Sequence, residues 1–253
     1  MDPSALLDLA VRLGREAREA ILAVRRAGFV VERKGDASPV TAADRLAEGI
    51  ITEGLRVTGL PVIAEEAAEA GALPEAGSRF WLVDPLDGTK EFAAGLDEWC
   101  ACIALVEGGR ATLGVLAGPG RLYAGIVGEG AWAEDGDGPR RAIRSRVPPA
   151  EGLTVLASRS HHSETRHAEF VAAHRVARVV PMGSALKYGV LAEGGADVVP
   201  RLGGRTMEWD TAAGQAVLEA AGGVMLDAAG GALRYGKPGF QNRGYIAWGQ
   251  PPA

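Results

Sequence analysis

The sequence predicts a mixed α/β protein of the α+β kind, on three observations. Residues 4–27 and 42–57 carry apolar side chains at the 3.6-residue spacing of amphipathic helices. Residues 99–132 alternate apolar runs with glycine turns, which is how an antiparallel meander reads. Beyond residue 140 short apolar strands alternate with helical segments, the rhythm of an α/β layer. At 253 residues and 47% hydrophobic content, the chain can bury a sizeable core as one large domain or two closely packed halves. The run Asp135-Gly136-Asp137-Gly138-Pro139 is the most linker-like segment. The expected halves are therefore an α+β unit over 1–140 and an α/β unit over 141–253.

In order, Leu6, Leu7, Ala10, Leu13, Ala17, Ile21 and Val24 form one apolar stripe, and Gly28 supplies a stop, so Ser4 to Ala27 reads as a helix. Phe29 to Lys34 reads as a short strand, and Gly35 to Pro39 as a loop. Thr41 then caps a second helix reaching about Val57, with Asp44 completing a capping box in place of the usual Glu. Leu60 to Ala64 is a short apolar strand ending in Glu65-Glu66. Phe80 to Val83 is another, ending in Asp84-Pro85-Leu86-Asp87-Gly88-Thr89. Pro85 cannot donate to a ladder, so pairing should stop there, and Thr89 is a suitable cap for a short helix through Phe92. The meander follows. In the second half Leu153 to Ala157, Val176 to Met182, Asp197 to Pro200, Val224 to Asp227 and Gly244 to Trp248 read as strands. His161 to His174, Ser184 to Glu193 and Thr211 to Ala221 read as helices, with His161 and His162 as surface or cap residues.

The composition excludes several functions. The first residues are acidic and no apolar run suits a signal peptide or a membrane span, so the expected location is the cytoplasm. A net charge of −5 argues against a nucleic-acid polymer or an anionic membrane as partner. Only Lys34, Lys90, Lys187 and Lys237 among the basic residues are lysines, a skew that reads as genomic base composition. Cys100 and Cys102, the only cysteines, share one strand face and read as buried small hydrophobes, because a metal or redox role needs more ligands or another spacing.

The chemistry concentrates at strand ends. Asp84 and Asp87 sit where a strand stops, beside a helix N-terminus that attracts anions, and two carboxylates that close repel unless a cation lies between them. Glu65 ends a second strand and can reach the same point if the two strands are neighbours. Hard oxygen donors at this density suit Mg²⁺ better than Zn²⁺. Far downstream, Asp210 precedes a helix of small residues, and Met182-Gly183-Ser184-Ala185-Leu186-Lys187 is a further strand, glycine and helix start suited to an anion. Each signal is ordinary taken singly.

Together these motifs resemble the Mg²⁺-dependent phosphomonoesterases of the inositol monophosphatase superfamily. Thr89-Lys90-Glu91-Phe92, Gly183-Ser184-x-Leu186-Lys187 and Arg201…Thr206-Met207-Glu208-Trp209-Asp210-Thr211-Ala212-Ala213-Gly214 are most similar to its 3′(2′),5′-bisphosphate nucleotidases. The resemblance runs from Lys34 to the end. It implies a layered α/β/α/β/α sandwich of the inositol monophosphatase/fructose-1,6-bisphosphatase type, with the site between the halves, and a homodimer as one allowed state. It implies two to three Mg²⁺ per site. Glu65, Asp84 and the Leu86 carbonyl would hold one, Asp84, Asp87 and Asp210 a second, and a third would lean on Glu65. Asp44, Glu65 and Thr89 would be catalytic, Asp44 and Thr89 by orienting the attacking water. Substrate contacts would come from Gly88, Thr89, Gly183, Ser184, Lys187, Glu193, Arg201 and Arg205, with Glu193 the position to recognise inositol hydroxyls. The segment Arg201 to Asp210 has one residue more than the usual nucleotidase loop, and Gly95 to Trp99 also departs from it.

The activity so implied is removal of the 3′-phosphate of adenosine 3′,5′-bisphosphate, a by-product of sulfate assimilation, to give AMP by direct attack of metal-activated water. The residues support such chemistry independently, since a phosphate dianion repels its nucleophile until cations neutralise it; no Ser, Cys or His nucleophile is then needed, and the chain offers no persuasive triad. An inositol monophosphatase or another small-molecule phosphatase of the superfamily is the alternative. An inactive nucleotide-binding module is the alternative of another class.

Overall fold

The computed structural model describes residues 1–33, 39–136, 138–159, 164–203 and 206–251. Helix α1 (Pro3–Ala27) begins where the Asp2 side chain accepts from the Ala5 N–H, and ends at Gly28. Strands β1 (Glu32–Arg33) and β2 (Pro39–Val40) form a small ladder; the strand expected from Phe29 begins only at Glu32, and Lys34 with the expected loop residues Gly35 to Ser38 lies outside the described residues. Helix α2 (Ala42–Leu55) carries the complete Thr41–Asp44 capping box. Its inward residues Ala43, Ala47, Ile51 and Leu55 pack with the α1 stripe.

Seven strands then build one sheet in chain order: β3 (Val62–Ala64), β4 (Arg79–Asp87), β5 (Cys100–Glu107), β6 (Arg110–Ala117), β7 (Arg121–Ile126), β8 (Gly130–Asp135) and β9 (Arg141–Ile143). Helices α3 (Glu65–Glu69) and α4 (Thr89–Ala93) follow β3 and β4. Strand β3 runs parallel to β4, and the rest are antiparallel. Two expectations change here. The glycine-rich stretch after Asp135 is a hairpin connection, since Ala131 pairs with Ile143, and the first sheet therefore continues past residue 140. The change of sheet falls between Ile143 and Leu153. Pairing also does not stop at Pro85. Asp84 faces Cys102 and Asp87 faces Cys100, so three steps on β4 meet two on β5, and the bulge absorbs the proline that has no N–H to give.

The second sheet has the order β11-β10-β12-β16-β14, from β10 (Leu153–Ala157), β11 (Val176–Pro181), β12 (Val198–Arg201), β14 (Val224–Asp227) and β16 (Tyr245–Trp248). Between these strands lie α5 (Glu164–Ala173), α6 (Leu186–Ala192), α7 (Trp209–Ala220) and a short ladder of β13 (Thr206–Met207) with β15 (Gln241–Asn242). His161 and His162 lie outside the described residues. Helix α6 starts at Leu186 instead of Ser184, because Ser184 has a φ of 60°, a left-handed value that no helix accepts.

The layers follow from strand alternation. Trp81 and Val83 point from β4 into a core with α1 and α2, while Phe80 and Leu82 point the other way, toward α6 and α7. The opposite side of those helices meets Tyr245, Ala247 and Met225 of the second sheet, and Phe170 of α5 covers its outer face with Trp248. The result is an α/β/α/β/α sandwich. Among the described residues no helix is long and apolar enough to cross a membrane.

Candidate active site

The bulge at the end of β4 delivers the first two acids. Asp84 is 2% exposed, and its Oδ1 accepts from the Leu86 N–H at 2.9 Å. Asp87 Oδ2 accepts a short hydrogen bond from the Ala185 N–H, tying the first half to the loop before α6. Gly88 makes the turn possible: its φ is 95°, and a side chain there would meet Ser184 Cβ at 3.2 Å. It, and not Thr89, occupies the cap position of α4. Asp210 arrives from the second half in the first turn of α7, two positions further into the helix than the sequence suggests, and the Met207 N–H donates to its Oδ2 at 2.8 Å. Carboxylate oxygens of Asp84, Asp87 and Asp210 all lie within 4.8 Å of one another. Glu65, at the start of α3, lines the same cleft.

Their electrostatics bear on what the cluster can hold. The Asp84 carboxyl is pushed well above the usual carboxylate range, chiefly by burial, then by the charges of Glu65, Asp87 and Asp210. Asp210 is raised in the same way, by burial first and then by Asp87 and Glu65, against the pull of the Met207 N–H and Arg201. Carboxylates of Asp84, Asp87 and Asp210 converge from both halves of the chain, with Glu65 lining the same cleft. Such a donor set fits a hard divalent cation, which would favour the ionised forms of Asp84 and Asp210.

Asp44, 2% exposed, serves two structures at once. Its Oδ2 accepts from the Thr41 N–H and from the Thr41 hydroxyl, both at 2.8 Å, which closes the cap of α2. Its Oδ1 lies 3.2 Å from Thr89 Oγ1, and Thr89 Oγ1 lies 2.9 Å from the Leu86 carbonyl oxygen. The single Thr89 proton can serve only one of these acceptors at a time.

The same cleft carries cations. About 210 Å³ in volume, it is also lined by Gly183, Ser184, Lys187, Tyr188, Arg201 and Thr206. The Gly183 N–H donates to Glu98 Oε2 at 2.7 Å. Lys187 is buried, its Nζ donating to the Ser184 carbonyl at 2.5 Å, and burial pulls its pKa down while Asp87 pushes it up. Arg201 is 7% exposed, and its Nη1 finds no hydrogen-bond partner among the described residues. Buried guanidinium nitrogen without an acceptor is a site that wants an anion.

Glu193 does not belong to the cleft. Its carboxylate accepts from Arg121 and Arg141 at 2.6 Å each and from the Tyr123 hydroxyl at 2.9 Å, so it fastens the end of α6 to strands β7 and β9. Arg205 lies outside the described residues. Sequence reasoning missed Ser158, Tyr188, Thr206 and Tyr245, which also line the cleft. Only Thr206 lay inside a quoted motif; Tyr245 opens an ordinary apolar strand.

A family model described as the inositol monophosphatase family matches residues 2–249. The 3′(2′),5′-bisphosphate nucleotidase CysQ of Salmonella typhimurium is 40% identical over 222 residues, 85% of this chain and 87% of its own. Among solved structures, CysQ from Bacteroides thetaiotaomicron, a bacterial member of the inositol monophosphatase family, superposes with a TM-score of 0.81 at 32% identity, covering 96% of this chain and 97% of that one. An inositol monophosphatase from Zymomonas mobilis superposes with a TM-score of 0.78 at 28% identity, over 99% of this chain and 94% of that one.

Proposed function

The chain belongs to the inositol monophosphatase family, and from that premise we propose that it is a 3′(2′),5′-bisphosphate nucleotidase that releases the 3′-phosphate of adenosine 3′,5′-bisphosphate. One observation carries the choice within the family. The cleft that holds the acid cluster of Asp84, Asp87 and Asp210 is also lined by two buried cations, Lys187 and Arg201, which can take a second phosphate. A monoester needs only the acid cluster; a bisphosphate needs both. Likeness to the Salmonella nucleotidase over 85% of the chain supports the same reading. Glu193, the residue suited to reading ring hydroxyls, is engaged elsewhere by two arginines.

Divalent cations, Mg²⁺ by the all-oxygen donor set of Glu65, Asp84, the Leu86 carbonyl, Asp87 and Asp210, would supply positive charge to the phosphoryl oxygens and ionise water near neutral pH. The remaining work falls to the chain. Thr89 Oγ1 and Asp44 Oδ1, 3.2 Å apart, hold the attacking water in line, with Asp44 kept in place by its two bonds from Thr41. Arg201 and Lys187 take the phosphate that is not cleaved and set which ester reaches the acids. Gly183 and Ser184 shape the wall between them.

The test is a panel of adenosine 3′,5′-bisphosphate, inositol 1-phosphate and fructose 1,6-bisphosphate at equal concentration, with and without Mg²⁺. Phosphate release is expected with Mg²⁺ only and fastest from the nucleotide; a preference for inositol 1-phosphate overturns the assignment. Arg201→Met is expected to raise KM for the bisphosphate by about ten- to a hundredfold, the size of one lost charge-assisted hydrogen bond. Turnover of a nucleoside 3′-monophosphate should change far less. Thr89→Val keeps the shape and removes the hydroxyl, and is expected to lower kcat by about ten- to a hundredfold with KM nearly unchanged. An equal rise in KM would show that Thr89 binds substrate and does not orient water.

A further inference from the structure

The two cysteines read from sequence as buried hydrophobes short of a third ligand, and the fold supplies one. The β4–β5 register sets Asp87 directly across from Cys100 and Asp84 across from Cys102. Because Cys100 and Cys102 are two residues apart on β5, both side chains leave the same face of the strand, into the core that includes Ala185 and Leu186. Their Sγ atoms lie 3.6 Å apart, and Cys100 Sγ lies 3.2 Å from Ser184 Oγ, a cleft residue. Sulfur of each cysteine and a carboxylate oxygen of Asp87 fall within 4.8 Å of one another.

We propose that Cys100, Cys102 and Asp87 form a separate site for a thiophilic divalent ion such as Zn²⁺ or Cd²⁺, whose occupation withdraws Asp87 from the acid cluster and stops phosphate release. The consequence for turnover rests on the nucleotidase reading; the site itself does not. Bond lengths support a tetrahedral ion, since metal–sulfur bonds of about 2.3 Å place two sulfurs roughly 3.8 Å apart, close to the spacing present. Two thiolates and one carboxylate leave one position of a tetrahedral ion for a further ligand. The ion enters past Asp87 and Ser184, because the thiols are 0% and 1% exposed. On binding, two S–H bonds break, two metal–sulfur bonds form and two protons leave to solvent. Mg²⁺ prefers oxygen and has no use for the thiols, so the two ions compete only through Asp87.

Oxidation to a disulfide is the other chemistry available to adjacent thiols, and the strand opposes it. Residues two apart in an extended strand have Cα atoms roughly 6.6 Å apart, at the far limit of disulfide geometry, so closure would require local distortion of β5. A metal ion bridges the same sulfurs without moving the backbone.

The experiment titrates Cd²⁺ into the full-length protein without substrate, following the ultraviolet thiolate-to-cadmium absorption band, and in parallel measures Mg²⁺-dependent phosphate release. The band is expected in the unaltered protein at one Cd²⁺ per chain. It should be lost in Cys102→Ala, with Cys100→Ala as a second variant, and both variants should remain active in Mg²⁺ alone. Half-inhibition by Cd²⁺ should need at least about tenfold more ion in either variant, and added Mg²⁺ should relieve inhibition of the parent. No band in the parent, or equal inhibition of parent and variants, overturns the proposal. Absence of phosphate release from every ester before Cd²⁺ is added would instead overturn the nucleotidase reading, while the absorption band would still decide the thiol site.

Discussion

Asp87→Asn is expected to lower phosphate release by about a thousandfold or more, roughly 4 kcal/mol of lost transition-state stabilisation, while raising the melting temperature of the cation-free protein. The two effects have one origin. Asp87 is among the charges that push Asp84 and Asp210 upward, so in the absence of a cation its own charge destabilises the fold around it. Asparagine keeps an oxygen to accept from the Ala185 N–H and removes the charge. The sign of the pH dependence follows. Asp84 and Asp210 have folded-state pKa values above their unfolded ones, so their protonated forms favour the fold. That stability is fully present below the ordinary carboxylate range, near pH 4, and is lost as pH rises through the raised values. Cation-free parent protein should therefore lose stability as pH rises from about 4 to 7, and Asp87→Asn should lose less. A gain of about 1 kcal/mol corresponds to a rise of about 2–4 °C in melting temperature for a chain of this size. Calorimetry in chelator at pH 5 and pH 7.5 reads both terms; a lower melting temperature for the variant would contradict the repulsion argument, and added Mg²⁺ should restore the parent but not the variant.

How much of this was legible before the structure depends on whether the information is local. The two strand ends that carry Glu65 and the Asp84 turn are written in short apolar runs, and the Thr41–Asp44 box is a four-residue pattern, so both appear where the sequence suggests. Asp210 is tied to Asp84 only through family motifs, because nothing local connects residues so far apart. Glu193 shows the limit. Its place is decided by Arg121 on β7 and Arg141 on β9, which reach it across the fold, and no window of sequence around Glu193 contains that. Tyr245 enters the cleft because β16 pairs with β12 in a register that sets it opposite Arg201. The Pro85 stop failed for a related reason: a rule about donors holds for a regular ladder, and the bulge makes this one irregular.

Gly114→Ala is expected to cost about 3 kcal/mol of stability and to weaken cation-dependent turnover, although Gly114 touches no ligand. The residue lies in the middle of β6, under α7. A Cβ there would sit 3.0 Å from the Ala213 carbonyl carbon and 3.0 Å from Ala216 Cβ, with the Ala213 oxygen closer still. Those neighbours are largely helix backbone, which cannot swing aside as a flexible side chain would, so α7 must move off the sheet as a body. Asp210 rides on that helix one turn before Ala213, and its carboxylate has to meet those of Asp84 and Asp87, which are fixed to β4 of the same sheet. A shift of even half an ångström opens the cluster from one side only, and cation affinity should fall with it. Gly49→Ala is the control: Gly49 is exposed in α2, a Cβ there meets nothing within 4 Å, and replacing it should stabilise the helix by about 0.5–1 kcal/mol through reduced freedom of the unfolded chain. Denaturant midpoints and the Mg²⁺ concentration for half-maximal turnover separate the possibilities. If Gly114→Ala loses stability while its Mg²⁺ requirement stays that of the parent, the helix seat holds the fold together but does not set the distance between the two halves of the acid cluster.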